Sequence, residues 1–174
     1  MDFSLYNISP IDGRYSNKTE SLSKYFSEYA YIYYRLKVEI EYLDCLLDKL
    51  DKNNTLIKKV FKDIINKFSL EECEKIKKIE KSINHDVKSI EYYIRGKLNE
   101  YGLGEKLNHY IHYGLTSQDI NSTALSVMLK EFNLDHMIPT INTIINLLKD
   151  KRYEYQYINM IGLTHGQPAT IMTM

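Results

Sequence analysis

Residues 29–50, Tyr-Ala-Tyr-Ile-Tyr-Tyr-Arg-Leu-Lys-Val-Glu-Ile-Glu-Tyr-Leu-Asp-Cys-Leu-Leu-Asp-Lys-Leu, decide the fold. Apolar residues recur at 29, 32, 33, 36, 40, 43, 47 and 50, one stripe of a 3.6-residue period. Lys37, Glu41, Asp44 and Asp48 occupy the other side. The aromatic run over 29–34 has β propensity, but its helical flanks outweigh it. The segment predicts a helix.

The same period continues outward. Ile57, Val60, Phe61, Ile64 and Phe68 predict a second helix. Ser69 predicts an N-cap, with Glu72 completing a capping box, for a helix carrying Cys73, Ile76, Ile79 and Ile83. Asp86 predicts the cap of a further helix with Val87, Ile90, Ile94 and Leu98 inward, ending at the turn of Gly102 and Gly104. From Ser117 the period resumes to about residue 157, with Pro139 either kinking that helix or starting another. No stretch shows convincing period-2 alternation, so the expected fold class is all-α.

Composition limits the function classes. The chain has 174 residues, enough for one domain or one and a fraction, and 23 basic residues balance 23 acidic ones. A net-neutral chain offers neither nucleic acid nor an anionic membrane a basic surface, and neither partner is expected. The basic run over 75–78 is interleaved with Glu72, Glu74 and Glu80, the pattern of a solvated helix face. Cys45 and Cys73 both fall at apolar positions of helical patterns and read as reduced core residues. The opening residues, 1–6, lack an export signal, and no apolar run approaches the roughly 18 residues of a membrane span. A cytoplasmic location is the default that follows. The final stretch, 159–174, stops on a Gly/Pro-punctuated segment, the expectation for a truncated chain.

Four segments are too polar or too punctuated for the helices around them. Ser9-Pro-Ile-Asp-Gly-Arg-Tyr15 reads as a turn, yet Arg14 and Tyr15 after it could clasp a phosphate. Asn84, His85 and Asp86 stand at a helix start, where capping and anion binding are both open readings. Thr116 and Asp119 form a capping box, and Thr116 and Ser117 also offer hydroxyls and backbone N–H groups to an anion. In Leu163-Thr-His-Gly-Gln-Pro-Ala-Thr170, His165 lies in a loop between Thr164 and Gly166, with Gln167 beside it; imidazole suits proton transfer near neutral pH. Helical spacing would place His109 and His112 on one face, but no third ligand matches that pair or the His85–Asp86 pair, so no metal site is expected.

In this order the four segments resemble adenylosuccinate lyases, of the fumarase/aspartase superfamily. The family elements S-P-[IV]-D-G-R-Y, N-H-D-V-K-x-[IV]-E-Y, T-S-x-D-I-N and T-H-G-Q-P-A-T occur at residues 9–15, 84–92, 116–121 and 164–170. The last two alone would indicate only the superfamily; the first two narrow it. The resemblance implies an N-terminal helical domain over 1–110 and, over 111–174, the first long helices of a central helical bundle. It implies β-elimination of fumarate from adenylosuccinate, giving AMP, and from the succinylated imidazole carboxamide ribotide, without metal or organic cofactor. By its motifs His165 corresponds to the general acid. Arg14 and Tyr15 correspond to phosphate-side positions, and Asn84, His85, Asp86, Thr116, Ser117, Thr164 and Gln167 to substrate contacts. Gln118 stands where many relatives have glutamate. The serine-base loop G-S-S-x-x-M-P-x-K-x-N does not occur in this sequence, and the active sites of the superfamily are shared between subunits of a homotetramer. The chain is therefore expected to be inactive alone. Ile120, Ala124, Val127, Met128, Ile141, Ile145 and Leu148 are expected to face bundle partners and, where these are missing, to promote association. Argininosuccinate lyase or fumarase would share the last two motifs. Composition alone would also suit a non-enzymatic helical interaction module.

Overall fold

Ser27 starts the long helix by accepting a hydrogen bond from the Ala30 N–H, and the helix runs without a break to Lys49. In the computed structural model, which describes residues 7–173, two short helical turns precede it: α1 (Ser16–Thr19) and α2 (Ser23–Phe26). The long helix is α3 (Glu28–Lys49). Residues 1–6, read above for an export signal, and Met174 lie outside the described residues. There follow α4 (Thr55–Asn66), α5 (Leu70–Ile83), α6 (Asp86–Glu100), the short α7 (Gly104–Leu107) and α8 (Ser117–Phe132). A π-helical turn, Asn133–Met137, leads to α9 (Ile138–Tyr155). Among the described residues no helix is long and apolar enough to cross a membrane.

The α3 stripe is the centre of the first compact unit, which extends to Lys130. Ile32, Leu36, Ile40, Leu43 and Leu47 pack with Ile57, Phe61 and Ile64 of α4, Ile76 of α5, and Ile90, Ile94 and Leu98 of α6. Each such side chain removed from water contributes about 1.5–3 kcal/mol. The opposite side of α3 is also covered: Ala30, Tyr34 and Val38 form a second cluster with Val87 and with Ile120, Ala124 and Met128 of α8. A helix covered on two sides buries charge as well, and Arg35 and Glu39 are both buried. The one-stripe pattern did not predict this. Nor is Cys45 a core residue: it is exposed on α3, while Cys73 is buried as expected.

Ser69 caps α5 by accepting from the Glu72 N–H at 3.4 Å. The Glu72 carboxylate serves tertiary structure, accepting from Lys75 at 2.7 Å and from the Tyr93 hydroxyl of α6 at 2.7 Å, with Lys97 at 3.0 Å. Burial pushes Glu72 up, but these three donors outweigh it and hold its pKa at about 2. A depressed carboxyl contributes stability above its unfolded value and loses it as the pH falls. Glu72→Gln is therefore expected to cost about 1–2 kcal/mol at pH 7, after allowance for solvent screening. The difference should shrink as the pH falls from 4.5 toward 2. Urea midpoints at neutral and acid pH measure it; a pH-independent difference would contradict the assignment.

The second unit begins at Glu131. Pro139 sits in the first turn of α9 and starts that helix. Proline lacks the N–H that a continuing helix would need, and the wide π turn just before it takes up the mismatch. Ile141, Ile145 and Leu148 of α9 are exposed. The segment expected as a loop is a hairpin, β1 (Met160–Thr164) with β2 (Gln167–Met172), paired antiparallel with Thr164 opposite Gln167. Both strands are largely exposed, so no apolar face imposes alternation on their sequence. Such strands leave no period-2 signal in the sequence.

Candidate active site

The 84–86 segment is the corner between α5 and α6. Asn84 ends α5 in the left-handed conformation (φ 54°), which asparagine tolerates better than most residues. The N-cap of α6 is His85, not Asp86: its Nδ1 accepts from the Lys88 N–H at 3.1 Å. Asp86 is the first residue of the helix, where its Oδ1 accepts from the Val87 N–H at 2.8 Å. Its negative charge there suits the positive end of the helix dipole. With Nδ1 engaged as an acceptor, the exposed His85 ring keeps Nε2 as its outward donor.

Asp86 is tied to α3 and α8 by one residue that the sequence reading passed over. The Arg35 guanidinium donates through Nη2 to Asp86 Oδ2 at 2.6 Å and through Nε to Asn121 Oδ1 at 2.8 Å. Its Cζ lies over the Tyr31 ring, 3.7 Å from the ring centre. Partial burial pushes the Asp86 carboxyl up; the Val87 N–H and Arg35 reverse that and leave it below the usual range. Arg35 thus brings the second and third polar segments together, the start of α6 against the second turn of α8.

The third segment enters α8 through a half-formed capping box. Asp119 Oδ2 accepts from the Thr116 N–H at 2.7 Å and from its hydroxyl at 3.1 Å. These two bonds hold the Asp119 carboxyl below its ordinary value. Thr116 is exposed and Ser117 half-buried at the helix start, while Gln118 turns away to donate to the Ser122 hydroxyl at 2.9 Å. His109 and His112 do not share a helical face. His109 belongs to a 3-10 turn, Asn108–Tyr110, whereas His112 lies beyond it at φ 57° with Nδ1 2.5 Å from Glu39 Oε1. Among the described residues no three His, Cys, Asp or Glu side chains converge as a metal cluster.

Arg14 and Tyr15 are exposed just after a turn closed by N–H bonds from Asp12 and Gly13 to the Ser9 carbonyl. Arg14 Cζ and Lys18 Nζ lie 5.7 and 5.8 Å from the Tyr15 ring centre, so two cations flank the phenol. Lys18 was not singled out from sequence; its spacing of three from Tyr15 was the available signal. Among the described residues no hydrogen bond or ion pair joins this cluster to the 84–86 or 116–121 segments.

Thr164, His165 and Gln167 lie in the second unit, and the hairpin groups them with one another. His165 and Gly166 form its two-residue turn, with φ of 52° and 75°. Two successive positive values are the mark of the tight turn that suits the twist of a hairpin, and glycine fits the second position. Thr164 and Gln167 flank the turn as a cross-strand pair, and the His165 ring is exposed at its tip.

A protein-family model described as lyase matches residues 13–174. Among curated relatives, the adenylosuccinate lyase of Dictyostelium discoideum is 43% identical over 175 residues, covering 96% of this chain and 38% of that protein. That of Legionella pneumophila (strain Corby) is 41% identical over 172 residues, with the same two coverages. That of Escherichia coli is 35% identical over 181 residues, covering 98% of this chain and 39% of that one. The chain thus spans about two-fifths of the length of the curated relatives it matches. Among solved structures, the β-carboxy-cis,cis-muconate cycloisomerase of Acinetobacter calcoaceticus superposes with a TM-score of 0.69 at 18% identity, over 89% of this chain and 35% of that one. At that identity the likeness is one of fold. By its match over nearly its whole length, the chain belongs to the lyase family of the fumarase/aspartase superfamily.

Proposed function

We propose that the chain is the N-terminal portion of an adenylosuccinate lyase, the enzyme that eliminates fumarate from adenylosuccinate to give AMP. The same elimination from the succinylated imidazole carboxamide ribotide belongs to the proposal. The observation that supports it most is the bridge from Asp86 through Arg35 to Asn121, which sets two of the four family motifs side by side at adjoining helix starts. Unpaired N–H groups at helix starts favour anions, and the substrate carries a phosphate and carboxylates.

β-Elimination needs a base for the Cβ proton of the succinyl group, donors for the carboxylate that spreads the carbanion charge, and an acid for the departing nitrogen. In this reading His165 is the acid, exposed at the hairpin tip with Thr164 and Gln167 as substrate contacts on either side. Arg14 and Tyr15 take the phosphate; Asn84, His85, Asp86, Thr116 and Ser117 contact the rest of the substrate. The base is a serine of a segment that does not occur in this sequence. The division near residue 110, a cytoplasmic location, catalysis without a cofactor and a homotetramer with shared sites belong to the same proposal.

Fumarate release from adenylosuccinate by the 174-residue chain is expected to be absent. Turnover comparable with that of the curated relatives would show that these residues hold a base of their own. The exposed stripe of Ile141, Ile145 and Leu148 is expected to associate. Light scattering at micromolar concentration should give a mass above that of one chain, and a compact monomer would count against the bundle.

A further inference from the structure

Arg35, Glu39 and Tyr42 stand at spacings of four and three along α3, one stripe of a helix, and each grips a polar segment. Arg35 holds Asp86 and Asn121, Glu39 holds His112, and the Tyr42 hydroxyl donates to the Tyr113 carbonyl at 2.7 Å. Glu39 is the least expected of the three. Its side chain has no exposed surface, Oε1 meets His112, and Oε2 is buried without a hydrogen-bond partner. His112 faces this carboxyl from the connector, Lys88 and Glu91 face it from α6, and Asp119 of α8 interacts electrostatically with His112. An apolar side chain of similar volume would fill the site without the cost of desolvating a charge. His112 itself occupies left-handed backbone, which a residue with a β-carbon adopts only when its surroundings hold it there.

We propose that Glu39 is a positioning residue that locks the His112 ring through Nδ1, thereby fixing the corner that leads to Thr116 and Ser117 and leaving Nε2 as the nitrogen open to a ligand. Ionised Glu39 can only accept, so the neutral ring carries its proton on Nδ1. What the site turns over rests on the lyase reading; the hold of Glu39 on the ring does not.

Nitrogen-15 NMR of the 174-residue chain is expected to show neutral His112 protonated at Nδ1. Glu39→Met, which removes the acceptor and keeps the volume, should shift the proton toward Nε2. Glu39→Gln retains an accepting oxygen and should restore the Nδ1 form, a reversal that mere packing would not produce. A wild-type proton on Nε2, or the same form in the Met variant, overturns the proposal, and the wild-type result decides even if Glu39→Met does not fold. In the complete enzyme, Glu39→Met is expected to lower kcat about 10²-fold with KM little changed, the scale of a misplaced group. An unchanged kcat overturns the proposal. Absence of turnover in the wild-type enzyme would instead remove the lyase reading, while the nitrogen assignment would still decide whether Glu39 holds the ring.

Discussion

Replacing His165 with alanine in the complete enzyme is expected to lower the rate of fumarate release about 10²–10⁴-fold, the usual worth of a positioned general acid. The departing group is a nitrogen, which leaves poorly without a proton, so the loss should fall mainly on kcat. The turn of His165 and Gly166 carries the exposed ring at the tip of the hairpin. Steady-state kinetics with adenylosuccinate measure the effect. A variant with wild-type kcat would remove His165 from the chemistry.

His112→Ala is expected to destabilise the first unit by about 1–3 kcal/mol near neutral pH, the cost of leaving a buried acceptor without its hydrogen-bond donor. The orphan would be Glu39, 1% exposed, whose Oε1 loses His112 and whose Oε2 already has no hydrogen-bond partner. The pH dependence has a definite sign. Burial pushes Glu39 up and His112 offsets only part of that, so its folded pKa stands above 4.5. A raised carboxyl contributes its stability below the unfolded value and loses it as the pH rises through the folded one. Without His112 the ionised form is penalised further, so the deficit should be largest at neutral pH and shrink as the pH falls toward 4.5. The Glu72→Gln difference also shrinks on acidification, but in a lower pH window, because three donors hold that carboxyl down. Thermal or urea unfolding at several pH values tests both. A His112→Ala deficit that grows on acidification would contradict the assignment to Glu39.

Much of the fold was legible because it depends on short-range rules. The α3 stripe, the helix read from Ile57 to Phe68, the helix capped by Ser69, and the break at Pro139 follow from period, capping and the missing proline N–H. Two local readings shifted by a residue or a class. His85 took the cap assigned to Asp86 because an imidazole nitrogen can accept the N–H that a carboxylate usually takes. The hairpin around His165 was read as a loop because neither strand packs against a core, and its turn signal was His-Gly rather than the more familiar Asn-Gly.

By itself the sequence determined an all-α chain with four polar motifs in a fixed order, including a histidine followed by the glycine its turn requires. Those properties are written in neighbours a few residues apart. Only tertiary structure decided that α3 is covered on two sides, that Arg35 joins Asp86 to Asn121 across 51 and 86 residues, and that Glu39 reaches His112 across 73. In sequence, Arg35 and Glu39 look like ordinary solvent-facing charges of a helix. Their partners arrive through folding, and burial is what turns such charges into fixed contacts between distant segments.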